Sequence, residues 1–457
     1  MESFLGVVGA ISGFFWNYLF LAVLVGGGIF LTIRLKVFQV RHLPYIIKQT
    51  FGKILDRGRG EGTVSPFQAT ATALASTIGA SNIIGVPVAI AWGGPGALFW
   101  MWVIFLVGGA TKFSEVVLGV YYREKNADGH YVGGPGYYMS KGFPIKSVGR
   151  VMAKVGVFVA MVYYFPSIAM QSVSLVQNAE ALGVNKYVGG IILMVLVGAV
   201  VLGGLIRVVK VADKMVPVMC VLYMGGALIV LFANITNVLP SLALVFQSAF
   251  TGTAAAGGFI GAGVSMAIRM GMARATYSCE AGMGSAPIAH AAAITDHPVR
   301  QGLWGVFEVL LDGTVCTISG IIVLASGVWK EVDPTVATTM PAAAFQKILG
   351  PAGGYIVTIS IFLFALSSII AVIWYAEKVV EFGLNTQVSK VARVVYTLSI
   401  MLGAVSGLEV IYAVLDLANA FIILPNMVTV LVLSPLVVKL SREYFSDDRY
   451  YLKDIKK

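Results

Sequence analysis

Apolar residues run along this chain in long blocks, and polar positions gather in short stretches between them. A block that crosses the hydrocarbon core of a bilayer as a helix needs about 20 residues. Eleven blocks approach or exceed that length, in coarse limits 13–33, 66–91, 95–122, 151–179, 187–206, 215–232, 238–275, 301–326, 351–376, 391–406 and 409–438. At lipid depth a backbone must satisfy its polar groups within each segment, so blocks of this length predict helices. The pattern predicts an all-α polytopic membrane protein with eleven transmembrane helices. The first block has no basic flank before it and no small-residue cleavage site after it, so it reads as an ordinary first span.

Composition narrows the class further. Apolar residues make up 58% of the 457 and DEKR only 12%, against roughly 25% charged in a soluble protein. Disorder is excluded, because a disordered chain is poor in apolar residues and rich in charge. Three cysteines do not make a disulfide scaffold. The four histidines, His42, His130, His290 and His297, leave no pair inside a span for haem or copper. No nucleophile–base pair or metal-ligand cluster stands out, so the chain reads as no enzyme and needs no cofactor.

The basic residues set an orientation. Segments 34–65, 123–154, 207–214, 269–300, 377–393 and 439–457 carry 28 of the 32 Lys and Arg, while the alternate segments carry only Lys186, Lys330 and Lys347. The excess of Lys and Arg marks the cytoplasmic side. The N-terminus is expected outside and the C-terminus inside, in the cell (inner or plasma) membrane. The net charge of +10 then belongs to these loops. Nucleic acid is not expected as a partner, because no soluble domain gathers a basic face. The bilayer is the expected partner, with no obligate protein partner evident.

Two blocks look broken. Residues 75–87 place Ser76, Thr77, Gly79, Ser81, Asn82, Gly85 and Pro87 where a helix should be continuous, and residues 250–263 do the same with Thr251, Gly252, Thr253 and several glycines. They are the first and sixth of the ten blocks that follow the initial one. The ten divide into halves 66–232 and 238–438 of five spans each, which are therefore inverted. Residues 1–65 are an extra span and loop, and 439–457 a basic tail. Interrupted spans at matching positions of inverted halves point to the binding site of a secondary transporter. Opened backbone can present amides to a carboxylate and carbonyls to a cation.

The motifs then identify a family. Gly93-Gly94-Pro95-Gly96-Ala97-Leu98-Phe99-Trp100-Met101-Trp102 resembles the signature of the alanine/glycine:cation symporters, the sodium:alanine symporter family. Thr111–Glu115, Ser278–His290 and Thr295–Gly302 continue the resemblance, with Cys279 where Asn is expected. The resemblance implies a leucine-transporter-like five-plus-five inverted repeat with one extra N-terminal span. It also implies sodium-driven symport of alanine and glycine.

It further implies site residues. Carbonyls of Ala75 and Ile78 in the first break, the carbonyl of Phe364, and the hydroxyls of Ser367 and Ser368 would hold sodium, a hard cation that prefers oxygen. Amides near Gly79 and Ala80, with those of Thr251, Gly252 and Thr253, would receive the substrate carboxylate. Thr77 or Asn82 would receive the ammonium. Phe165 and Trp374 would wall a small side-chain compartment, and Gln171 would bond either end of the substrate. Of the ionisable residues inside spans, Lys112 and Glu115 are expected to neutralise each other at i,i+3. Glu308 and Asp312 share a helix face at i,i+4, and Asp416 is a candidate outer-gate carboxylate. Two rivals stand beside this reading: a proton-coupled transporter of the same fold, and an ion channel.

Overall fold

The computed structural model describes residues 14–15, 19–181, 185–251, 263–405, 408–447 and 449–451. In chain order its main helices are α1 (Ala22–Arg34), α2 (Pro66–Thr77), α3 (Ser81–Gly93), α4 (Ala97–Tyr121), α5 (Lys146–Ala181), α6 (Lys186–Val201) and α7 (Gly204–Ala233). They continue with α8 (Ile235–Phe250), α9 (Val264–Cys279), α10 (Pro298–Ala325), α11 (Pro351–Gly383), α12 (Thr386–Leu398), α13 (Leu408–Val432) and α14 (Ser434–Ser446). Six of them are long and apolar enough to cross a membrane: α4, α5, α7, α10, α11, and α12 with its continuation to Val405. Two bent pairs raise the number to eight, and α1, α6 and α8 are shorter apolar helices. The protein is a multi-pass helical membrane protein.

The first bent pair is α2 with α3. Ser65 caps α2 by accepting the Gln68 amide, Gln68 reaches back to the Ser65 amide, and Pro66 takes the first turn, where its missing N–H costs nothing. The helix stops at Ile78 (φ −84°, ψ 77°) and resumes as a π-helical turn over Ser81–Gly85. The two pieces meet at 47°. The second broken block is α8 and α9. Their flanks are Phe250 and Val264, and residues 252–262, including Gly252 and Thr253, lie outside the described residues.

Two stretches differ from the sequence expectation. The segment 269–300 is no simple loop. Arg269 and Arg274 belong to α9, and Glu280 (φ 52°) turns the chain into a buried run that contains the short helix Ala286–His290. The Arg123 guanidinium holds that run by donating to the carbonyls of Ala291 (3.1 Å) and Ala293 (2.6 Å), and to Glu61 (2.6 Å). A hydrogen bond from the Tyr131 hydroxyl, then Lys125, keeps the neighbouring Glu61 carboxyl below its ordinary range. At the other end of the chain the last apolar block stops at Val432. Pro435 starts α14 at 56° to α13, and α14 seats Tyr444 with its hydroxyl 2.8 Å from that of Tyr45.

Inside the bundle α4 is almost wholly covered, by α10, α9 and α1, while α11 lies among α5, α7 and α2. Lys112 does not neutralise Glu115. Its Nζ lies 3.1 Å from Glu308 Oε1 across the α4–α10 contact, and both groups are fully buried. His290 Nε2 reaches the other Glu308 oxygen at 3.1 Å. Glu115 instead accepts the amides of Gly282 (3.2 Å) and Gly284 (2.9 Å) and the side chain of Asn426 (2.5 Å). The i,i+3 spacing fails because tertiary partners reach both groups first. Removing one member of a buried pair strands the other charge, at a cost of about 3–5 kcal/mol. Lys112→Met should therefore lower the thermal midpoint of the purified protein, and Lys112→Met with Glu308→Gln should recover most of the loss. Equal midpoints for wild type and the single variant would refute the pairing.

Candidate functional site

The first break faces α11. Ser368 Oγ lies 3.0 Å from the Ala75 carbonyl and 2.9 Å from the Phe364 carbonyl. Ser367 Oγ lies 3.4 Å from Ala75 and 2.9 Å from Phe364. Two hydroxyls of one helix thus converge with carbonyls of both helices, in a buried setting. Each hydroxyl has one proton to donate, so the cluster holds more oxygen lone pairs than hydrogens to fill them. Such surplus suits a hard cation. Ile78 stands at the break three residues on from Ala75, and neither serine hydroxyl bonds it.

Gly79 marks the closest approach. A methyl group there would stand 2.6 Å from Ser368 Oγ and 3.1 Å from Gln171 Nε2. Ser368, Gly79 and Gln171 therefore meet at one point. Gln171 Oε1 and Trp374 Nε1 are buried and have no hydrogen-bond partner among the described residues. A buried acceptor and a buried donor left unmade are costly, and a zwitterionic ligand offers complements to both.

The other expected residues are placed as follows. The Asn82 side chain bridges: its Oδ1 accepts the Gly79 amide at 3.0 Å, and its Nδ2 donates to Asp312 Oδ1 at 2.6 Å. Thr77 turns its hydroxyl back toward the carbonyls of Ala73 and Leu74 on its own helix. Ala80 is buried within the break. Thr251 is exposed and bonds Gln247 at 2.6 Å. Phe165 packs on Tyr396 of α12, ring centroids 4.7 Å apart. Trp374 lies 5.6 Å from the Tyr375 ring. Gly252, Thr253 and the side chain of Asp416 lie outside the described residues.

Sequence reasoning missed the partners of the break. Ser76 donates to Glu280 at 2.7 Å, and Ser278 reaches both oxygens of Asp312, at 2.8 and 3.1 Å. Both sides of the break are thus tied to the C-terminal turn of α9, one directly and one through α10. Pairs this far apart in the chain leave no local spacing to read; the only signal was an ionisable group at lipid depth.

A model described as the sodium:alanine symporter family matches residues 1–456. YflA of Bacillus subtilis (strain 168), an uncharacterized transporter, is 47% identical over 463 residues, which is 100% of this chain and 97% of that one. The sodium/alanine symporter AgcS of Methanococcus maripaludis is 37% identical over 447 residues, 97% of each chain. Among solved structures, MhsT in complex with L-phenylalanine matches with a TM-score of 0.60 and 16% identity, over 84% of this chain and 100% of that one. At that identity the likeness shows the fold alone, which is leucine-transporter-like. The family match and the fold define a secondary active transporter. The chain belongs to the sodium:alanine symporter family.

The close approach at Gly79 is directly testable. Gly79→Ala inserts a methyl where a helix-bonded hydroxyl stands, and overpacking of this kind costs about 1–3 kcal/mol. Sodium-dependent amino-acid transport should weaken by roughly tenfold to a hundredfold, with the protein still assembled by size-exclusion chromatography. Transport at the wild-type level would refute the packing.

Proposed function

We propose that this protein couples entry of sodium to uptake of alanine and glycine across the cell membrane by alternating access. The observation that carries the reading is the convergence of the Ala75 and Phe364 carbonyls with the Ser367 and Ser368 hydroxyls beside Gly79. Sodium binds there, with the Ile78 carbonyl joining the set. It ties α2 to α11 and fixes the break next to which the amino acid sits. The substrate carboxylate takes amides at Gly79 and Ala80 and, from the second break, those of Gly252 and Thr253. Thr251 is exposed and its amide donates to the Gln247 carbonyl, so it is left out of the set. Its ammonium takes the Gln171 oxygen and oxygens of the first break, Thr77 and Asn82 among them.

The packing supports an inverted repeat of five spans, 66–232 and 238–438, after an extra N-terminal span. The second helices of the two halves, α4 and α10, pack on each other, and so do the third, α5 and α11. The third of each half also packs on the fifth of the other: α5 on α13, and α11 on α7. A two-fold operation in the membrane plane exchanges these pairs. The Lys and Arg asymmetry supports an outer N-terminus and a cytoplasmic C-terminus.

Size selection falls to Trp374 more than to Phe165, because Phe165 is engaged with Tyr396. A missing methylene costs only about 1–3 kcal/mol, so glycine remains a substrate beside alanine.

Purified protein in liposomes should take up labelled alanine only with an inward sodium gradient. Ser367→Ala or Ser368→Ala should raise the sodium needed for half-maximal uptake about tenfold or more, a charge-assisted contact being worth ~1.5–3 kcal/mol. Uptake driven by a proton gradient without sodium, or unchanged sodium dependence in both variants, would overturn the assignment. In competition assays Trp374→Ala should admit valine or leucine, which the wild type rejects. An unchanged ranking would rule out the wall.

A further inference from the structure

Asp312 is the buried acid that the sodium site and the substrate site leave unused. It sits in the middle of α10 with no exposed surface. The donors on its oxygens are neutral: Asn82 Nδ2 at 2.6 Å, and Ser278 Oγ at 2.8 and 3.1 Å. The titratable groups that face it are Lys112 on α4, Cys279 at the end of α9, and Glu308 and Cys316 one turn to either side on its own helix. Lys112 is bonded to Glu308, not to Asp312. Neither α2 nor α3 carries an ionisable side chain, and α7 presents Tyr223, which is bonded to Ser319 at 2.8 Å. A carboxylate at this depth without a partnered cation is expensive, and the common remedy is to take up a proton.

Sodium fits this position poorly. The oxygens at hand are the two of Asp312 and one of Ser278, because Asn82 turns its amide nitrogen, not its oxygen, toward the acid. Cys316 Sγ lies 3.4 Å from both Asn82 Nδ2 and Ser278 Oγ. Donor nitrogen and soft sulfur do not make a shell for a hard cation. A proton needs only one lone pair, and either Asp312 oxygen supplies it.

We infer that Asp312 is a proton-binding site whose occupancy controls the first break through Asn82. This rests on the proposal that the Gly79 amide receives a substrate carboxylate. The ionised acid grips Asn82 Nδ2, which holds Asn82 Oδ1 on the Gly79 amide, an amide shared with the Thr77 carbonyl at 3.0 Å. A proton added to Asp312 removes the charge that makes this grip strong. Asn82 then yields the amide, and the incoming carboxylate meets no second negative charge behind it. Proton binding and amino-acid binding favour each other, and by linkage the effect is mutual.

The sign follows. With sodium saturating, alanine binding by the wild type should be tightest at low pH and weaken by up to about tenfold per pH unit as Asp312 ionises. The measurement runs from about pH 5 to 7.5, within which free alanine stays mainly zwitterionic. Asp312→Asn, which copies the protonated shape, should bind at the wild type's low-pH affinity with a flat profile. His290 and Glu308 remain intact in that variant. Ser278→Ala removes a donor that favours the ionised form, so it should move the midpoint to higher pH; this reading serves if Asp312→Asn does not assemble. A flat wild-type profile, or a wild-type profile retained in Asp312→Asn, overturns the inference. If alanine fails to bind at any pH, the substrate reading has failed instead. The proton site is then decided by infrared difference spectra of a pH jump, in which a protonated-carboxyl band lost in Asp312→Asn, or displaced in Ser278→Ala, supports it and an unaltered band refutes it.

Discussion

A helix opened at lipid depth frees backbone groups that water cannot reach, and the rest of this structure is arranged around satisfying them. At Ile78–Ala80 the ladder of α2 ends and that of α3 has not begun. Asn82 takes the Gly79 amide, and two serines of α11 approach the carbonyl of Ala75. Irregular backbone inside a membrane is tolerated where protein or a cavity surrounds it. Here α11, α5, α9 and α10 supply that surround. The requirement also explains the small residues of the break. Any side chain at Gly79 would displace Ser368 and Gln171, so the close approach that satisfies the backbone also brings the polar side chains together.

The buried charges follow a second rule. Glu115, Glu308 and Asp312 are buried in the bundle and Glu280 is partly so, and each is satisfied differently. Glu308 has Lys112 and His290, and Glu115 has two amides and Asn426. Glu280 has the hydroxyls of Ser76 and Ser285. Asp312 has one amide nitrogen and one hydroxyl. Acids outnumber the buried lysine, so the interior is poised to receive positive charge. Polar networks of this kind fix one arrangement when every member is satisfied, and a charge that arrives or leaves changes which arrangement that is.

What the sequence disclosed follows the range over which its signals act. Apolar block length is local, and the described parts of the blocks are mainly helical. Only six helices, or eight with the two bent pairs, are long and apolar enough to cross a membrane, against the eleven expected. The first break was legible because Gly, Ser, Asn and Pro are poor helix formers wherever they stand. The serine pair at 367–368 was legible only through family resemblance, because two small hydroxyls in a span commonly serve packing. The partners of the charges were not legible. Lys112 and Glu115 offer an attractive i,i+3 pair, yet Lys112 finds an acid 196 positions away. Phe165 stands beside Tyr163 and Tyr164 in the sequence and reads there as a wall of the side-chain compartment. Instead Phe165 goes to Tyr396, while the two tyrosines line an apolar cleft with Met283, Ser285 and Asn426. Aromatic side chains of one helix turn point in different directions, and only the neighbouring helices decide which direction meets a pocket.

These links also indicate where the molecule divides. Lys112 ties α4 to α10, Asn82 ties α3 to α10, Ser278 ties α9 to α10, and Ser76 ties α2 to the turn after α9. Hydrogen bonds between charged or buried partners link α2, α3, α4, α9 and α10 to one another. Across the seam to α11 the first break presents bare carbonyls to two short hydroxyls, contacts that are weak one by one. A cation bound in that seam replaces them with ion–dipole contacts to both sides, which is why, in the proposed mechanism, sodium there does more than neutralise charge. It binds best when the two sides are closed on it, and a ligand shifts an equilibrium only by its preference for one state. Occupation of the seam and the geometry of the adjacent break are then one event, and the amino acid that needs that geometry is coupled to the ion without touching it.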